Sequence, residues 1–374
     1  MDIKEVFRHL SNIAGWKTRR KLVVFESDDW GSIRTRSLED YECMLSFGLN
    51  VDQGHYNYAE SLESNADLEA LFEVLSAIKD ANGRPAVFTP YCIMGNPDFD
   101  KIQASGFEQY FFQPLHETIA EYPAHHRLLD LWREGASNHI FMPQLHGREH
   151  VNVRRYMKLL QSGDAGFRKA FECRSIGVSG WKNNKYPNYL GALHPETREE
   201  IKDLHQYLTE AAQLFEQYTG YPARVFVAPN AEEPKVLEST LQKVGIAFVN
   251  RAKIRKYPLG DGRFKTEFNW LGKKSNGLMY LFRNAFFEPA CFGEPDKAHI
   301  TDWVDRCLRE IDIAFRWHKP AIISTHRVNY IGYLRPENRD KGLRELKRLL
   351  KEIIRRWPEV EFMSSEELGD TIVK

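Results

Sequence analysis

Eight short apolar runs punctuate the chain: Leu22–Phe25, Ala86–Thr89, Ile140–Met142, Arg224–Ala228, Ile246–Asn250, Leu278–Arg283, Ala321–Thr325 and Val360–Met363. Each is three to six residues long and, where it meets polar sequence, does so abruptly, as buried parallel strands do. Between them lie stretches whose apolar residues recur every three or four positions. Ile201, Leu204, Leu208, Ala211, Phe215 and Tyr218 form the clearest stripe, closed by Gly220 and Pro222. Similar patterns predict helices through Leu68–Ile78, near 125–134, over 234–244, from the cap Thr301-Asp302 through Phe315, and over 340–357. A further helix with a basic end is expected at 3–20. Strands alternating with amphipathic helices predict an α/β fold with a parallel sheet inside and helices outside. Seven to eight such strands give a distorted, TIM-like (β/α) barrel. No linker or internal repeat divides the chain, so residues 1–374 read as one domain, with a Gly-, Asn- and Pro-rich excursion over the surface at about 151–195.

Composition narrows the class. Lys plus Arg equals Asp plus Glu at 52 each, and this neutrality argues against a general nucleic-acid binder or a charge-held membrane protein. Five scattered cysteines without C-x-x-C spacing argue against a disulfide framework or a thiolate zinc site. With no signal-like or membrane-length apolar run, a cytoplasmic location is expected. Oligomeric state is not legible.

Three predicted strands end in groups that bind metals or move protons: Asp28-Asp29, the pair His146 and His150, and His326. In a parallel barrel such ends share one rim. Two imidazoles four residues apart meet at one atom if the backbone there is helical. Asp, His and His with an open fourth position make a catalytic zinc-type set. A neighbouring carboxylate can then take a proton from water, and an imidazole opposite can protonate the leaving group. The plainer readings are a helix N-cap for Asp28-Asp29 and a core role for His326. His116, His125, His126, His139, His194, His205, His299 and His318 read as structural. His55, in an aromatic loop, is a candidate substrate contact.

These motifs resemble, in order, those of the metal-dependent polysaccharide deacetylase superfamily, which acts on chitin, peptidoglycan and related amino sugars. The chain reads as a divergent member. Ser27-Asp28-Asp29-Trp30-Gly31 is similar to the family's acidic motif, His146 and His150 to its H-x-x-x-H, Thr219–Pro222 with Val225–Pro229 to its proline strand, and Ile322–His326 to its last motif. The resemblance implies Asp28 as general base, His326 as general acid, and Asp29, His146 and His150 as metal ligands. It implies a divalent ion, zinc first, with cobalt, nickel, manganese or iron also suiting the donor set. An acetylated sugar or glycan is the implied substrate. The chain departs from the pattern where the family places an arginine: Val227 stands there, Asn230 and Ala231 replace the residues after Pro229, and the late Asp/Trp motif has only Asn269-Trp270 as counterpart. Arg283 and Arg327, near strand ends, are candidates for the missing charge. Together with Trp30 and Asn230 they are the expected substrate contacts. Trp181, Tyr189, Trp270 and Tyr330 are further aromatic faces for a sugar ring.

The leading expectation is a metal-dependent hydrolase that removes an acetyl group from an amino sugar or glycan, with a role in polysaccharide biosynthesis. The alternatives are a non-catalytic, metal-containing carbohydrate-binding protein, or a glycoside hydrolase using Asp28 with Glu26, Glu267 or Glu288.

Overall fold

A computed structural model describes residues 8–178 and 188–374. Its main sheet contains ten strands. Nine of them are β1 (Lys21–Trp30), β2 (Phe88–Ile93), β3 (Gln144–Gly147), β4 (Val225–Phe226), β5 (Phe248–Asn250), β6 (Leu278–Leu281), β7 (Ala285–Phe286), β8 (Ala321–His326) and β9 (Val360–Phe362). They pair in parallel in the order β6-β5-β4-β3-β2-β1-β8-β7, while β9 pairs with the start of β1 and Lys274–Ser275 adds an antiparallel edge to β6. The segment Leu278–Phe286 begins as the neighbour of β5 and ends as the neighbour of β8. One kinked stretch of chain therefore spans the opening of the curled sheet and makes a distorted barrel of seven staves. The eighth apolar run, β9, supports the base of β1 and is not a stave.

Alternation along the strands sorts side chains into two layers. Val23, Phe25, Phe88, Phe226 and Ile323 face outward into the large core shared with the helices. Leu22, Val24, Val225, Met279, Leu281 and Ile322 face inward and fill the lower barrel. The outer helices include α1 (Asn65–Ser76), α2 (Leu128–Ser137), α3 (Glu200–Thr219), α4 (Trp303–Arg316) and α5 (Pro336–Arg356). Gly220, at φ +85°, ends α3 in the left-handed conformation that glycine adopts without strain. Asp302 caps α4 by accepting from the Asp305 amide. A last helix, α6 (Ser365–Val373), starts from a Ser364/Glu367 capping box and sets Leu368 against the inward cluster. It closes the barrel floor.

Three local expectations shift. Ile140–Met142 forms only a bridge to Phe88; the strand begins after Pro143, whose missing N–H interrupts the ladder, and so His146 lies within β3. The described part of the leading segment is helical only to about residue 11 and reaches β1 through turns. Within 151–195, helices Val153–Gln161 and Ala165–Glu172 bury Tyr156, Phe167 and Phe171 in the main core rather than running over the surface. Trp181 lies outside the described residues.

Candidate metal centre and its cavity

The inward face of β1 reads Leu22, Val24, Glu26, Asp28, from apolar at the base to acidic at the rim. Asp29 would point outward by parity. It does not, because β1 shifts register between Ser27 and Trp30 and Asp29 takes φ +75°. That bulge brings two consecutive carboxylates to the cavity. Across the parallel ladder, Asp28 is the direct partner of His326.

Asp29 Oδ1 lies 2.9 Å from His150 Nε2 and 3.4 Å from His146 Nε2. The imidazoles converge through a strand end and the turn at Gly147, φ +144°, and not along a helix. His146 Nδ1 donates to the Val227 carbonyl at 2.8 Å, which leaves Nε2 as a bare acceptor facing a carboxylate. That buried Nε2 has no hydrogen-bond partner among the described residues, and neither does His150 Nδ1. Acceptors facing each other in a buried site are costly without a cation or proton between them. Tetrahedral coordination with bonds near 2.0–2.1 Å sets ligand atoms about 3.3 Å apart, so the three residues fit a first-row divalent ion. Burial alone would raise the Asp29 carboxyl, but positive charge on the imidazole side, as when the two rings carry protons, outweighs it and holds the carboxyl well below its ordinary value.

Arg283, at the kink between β6 and β7, forks onto Asp28 with both contacts at 2.6 Å. Its Nε donates to Glu26 Oε2 at 2.6 Å. Burial pushes the Asp28 carboxyl up, and Arg283 more than reverses this. The cation on Asp28 thus comes from the kink between β6 and β7, while Val227 offers none. His326 is the mirror case. Its Nδ1 is 2.6 Å from Glu288 Oε1, and its Nε2 is 3.9 Å from Asp28 Oδ2. Burial disfavours the imidazolium, but Glu288 wins and pushes its pKa up to about 10. Asn329 in turn donates to Glu288 Oε2 at 2.7 Å.

Asp28, Asp29, His146, His150, Arg283 and His326 line a cavity of about 1240 Å³, with Arg34, Tyr56, Tyr189 and Asn230 on its walls. Asn230 lines this cavity and donates to Asn188 at 2.8 Å. Trp30 and Arg327 do not line it. Trp30 is buried edge-on to Phe141 and bonds Ser27, while Arg327 is fully buried between Glu60 and Glu63. Trp30 follows the bulge at Asp29, and Arg327 opens the 3-10 turn that begins where β8 ends. Tyr330 is likewise buried, and Trp270 is exposed outside the cavity wall. None of Glu26, Glu267 and Glu288 lines the cavity; they hold Arg283, Lys235 and His326 respectively. Sequence reasoning missed Glu288 as the partner of His326, since a separation of 38 positions carries no spacing signal. It also missed Tyr56, whose ring meets His326 edge-on at 5.9 Å.

No family model and no curated protein sequence matches the chain. Among solved structures it is similar to one described as a probable polysaccharide deacetylase from Pseudomonas aeruginosa PAO1, at 10% identity and TM-score 0.48, covering 94% of this chain and 91% of that one. It is similar to 4-alpha-glucanotransferase from Thermococcus litoralis at 11% identity and TM-score 0.46, over 93% of this chain and 40% of that one. A third is a CE4 family pseudoenzyme from Bacillus anthracis, at 10% identity and TM-score 0.36, over 94% of this chain and 66% of that one.

Proposed function

We propose that the chain is a divalent-metal-dependent hydrolase that removes an acetyl group from an amino sugar or glycan, in the manner of the polysaccharide deacetylases its motifs resemble. The observation that carries this reading is the opposed pair at the cavity floor. Asp28 is kept ionised by Arg283, and His326 is kept protonated by Glu288, with the Asp29–His146–His150 triad beside them. One cleft thus holds a base and an acid already in the ionisation states amide hydrolysis needs at neutral pH. A divalent ion on the triad would supply a Lewis acid for the acyl oxygen and lower the pKa of water. Asp28 takes a proton from the attacking water, the C–N bond breaks, and His326 gives its proton to the departing amine. Arg283 holds the Asp28 carboxylate in place, and Tyr56, Tyr189 and Asn230 border the sugar.

The non-catalytic alternative would be favoured by a base without a cation beside it, and the Arg283 fork on Asp28 supports the catalytic reading instead. The glycosidase reading lacks its second carboxylate among Glu26, Glu267 and Glu288. All five cysteines are free, which supports a reducing compartment such as the cytoplasm. No helix of the described residues is long and apolar enough to cross a membrane. Acetate release from a panel of N- and O-acetylated sugars tests the proposal. Release is expected from wild type and is expected to fall at least ~10²-fold in Asp28→Asn. Metal uptake without acetate release from any member would sink the hydrolase reading.

A further inference from the structure

A second group of metal-ligating side chains stands at the mouth of the same cavity: His55, Cys291 and Glu294. His55 is buried, and its Nδ1 donates to the Phe292 carbonyl at 3.1 Å. That bond fixes the tautomer and leaves Nε2 as a lone pair aimed at the other two residues. Nε2 lies 3.6 Å from Glu294 Oε1, beyond a hydrogen bond, and Cys291 Sγ lies 3.4 Å from the same oxygen. Lys297 occupies the other oxygen, Oε2, at 2.7 Å, and Oε1 accepts from the Cys291 thiol, whose proton an ion bound between the three groups would displace. All three donor atoms fall within 4.8 Å of one another. Bonds of about 2.0–2.3 Å to a tetrahedral ion space its ligands about 3.3–3.7 Å apart, close to the two distances observed.

The backbone is built to hold this approach. Gly293, at φ +76°, lies so near the Gln53 carbonyl that any Cβ would collide with it. Phe292 packs edge-on against Tyr58, with ring centroids 5.4 Å apart, anchoring the carbonyl that orients His55. Two segments distant in sequence are thereby pressed together, one carrying Tyr56 and the other following Glu288. Both neighbours touch His326.

We propose that His55, Cys291 and Glu294 form a second, mixed-donor site for a borderline transition ion such as Zn²⁺ or Co²⁺, clasping the cavity mouth. A thiolate and an imidazole select such ions over Mg²⁺ or Ca²⁺. His55 and Glu294 line the cavity, and Cys291 lies behind them. The inference is independent of the hydrolase reading.

Metal counting on the full chain tests it. Chelator-stripped protein is titrated with Co²⁺, reading stoichiometry and the thiolate-to-cobalt charge-transfer band in the near ultraviolet. Wild type is expected to bind two equivalents and show the band. Cys291→Ser is expected to bind one and lose it, His55→Gln to weaken that equivalent at least tenfold, and Asp29→Ala to bind one and keep the band. Near-ultraviolet circular dichroism matching wild type separates a lost ligand from a lost fold. Wild type without the band, or a band that survives both Cys291→Ser and His55→Gln in folded protein, would overturn the proposal. Acetate release has no part in the readout, so failure of the hydrolase reading shows separately.

Discussion

Asp28 and His326 are cross-strand partners that their neighbours drive in opposite directions, and each neighbour can be removed by itself. Replacing Arg283 with Met removes the main opposition to burial and leaves only His146 and His326 against it, so the Asp28 pKa rises. The acid limb of kcat/KM is expected to move to higher pH, with kcat falling ~10²–10³-fold. Restoring an arginine at position 227 in that background is expected to recover part of the loss, because the carboxylate needs a cation and not a particular stave. Glu288→Gln acts at the other end. His326 keeps its proton until about pH 10; without the carboxylate, the alkaline limb is expected to fall toward the ordinary imidazole value of about 6.5. Steady-state pH profiles of the two variants check both directions.

Elements set what a reader of the sequence can see. The two-layer alternation of β1 and β8 is legible, and so are the helices whose stripes run unbroken, such as α3. Arg327 is not legible, since it lies in the 3-10 turn beyond β8, where strand alternation no longer applies. The exception to parity is not legible either. Nothing in Asp28-Asp29-Trp30 announces a bulge with a left-handed aspartate, and that one backbone choice decides which carboxylate meets the imidazoles. Glu288 is invisible for a different reason, since its role depends on α5 and the turn at Asn329. Gly342 of α5 sits against the Asn329 carbonyl with no room for a Cβ. Gly342→Ala is expected to cost about 2–3 kcal/mol in urea unfolding by overpacking. It is also expected to lower the His326 alkaline limb, as Asn329 lets go of Glu288.

Over the whole molecule, two expectations concern global stability. An ion bound only by the native state stabilises it by about 2.7 kcal/mol at a hundredfold excess over Kd. Chelation is therefore expected to lower Tm and Zn²⁺ to restore it, with a smaller restoration in Asp29→Ala. Acid sensitivity has a separate source in His125, buried with Nε2 against the Leu62 carbonyl. Burial lowers its pKa to about 4, so the unfolded chain binds the extra proton between about pH 6.5 and 4. Stability from this group is complete above pH 6.5 and is lost as pH falls toward 4, amounting to about 2–3 kcal/mol. His125→Gln is expected to flatten denaturant midpoints across that window. The kinked segment Leu278–Phe286 carries a consequence of another kind. It passes from β5 to β8 across the open side of the sheet and delivers its guanidinium there, so the cation that meets Asp28 comes from a stretch of chain remote from Val227 in sequence. A comparison by interval along the chain looks for that cation at position 227 and finds an apolar side chain. A comparison by position around the strand end finds Arg283.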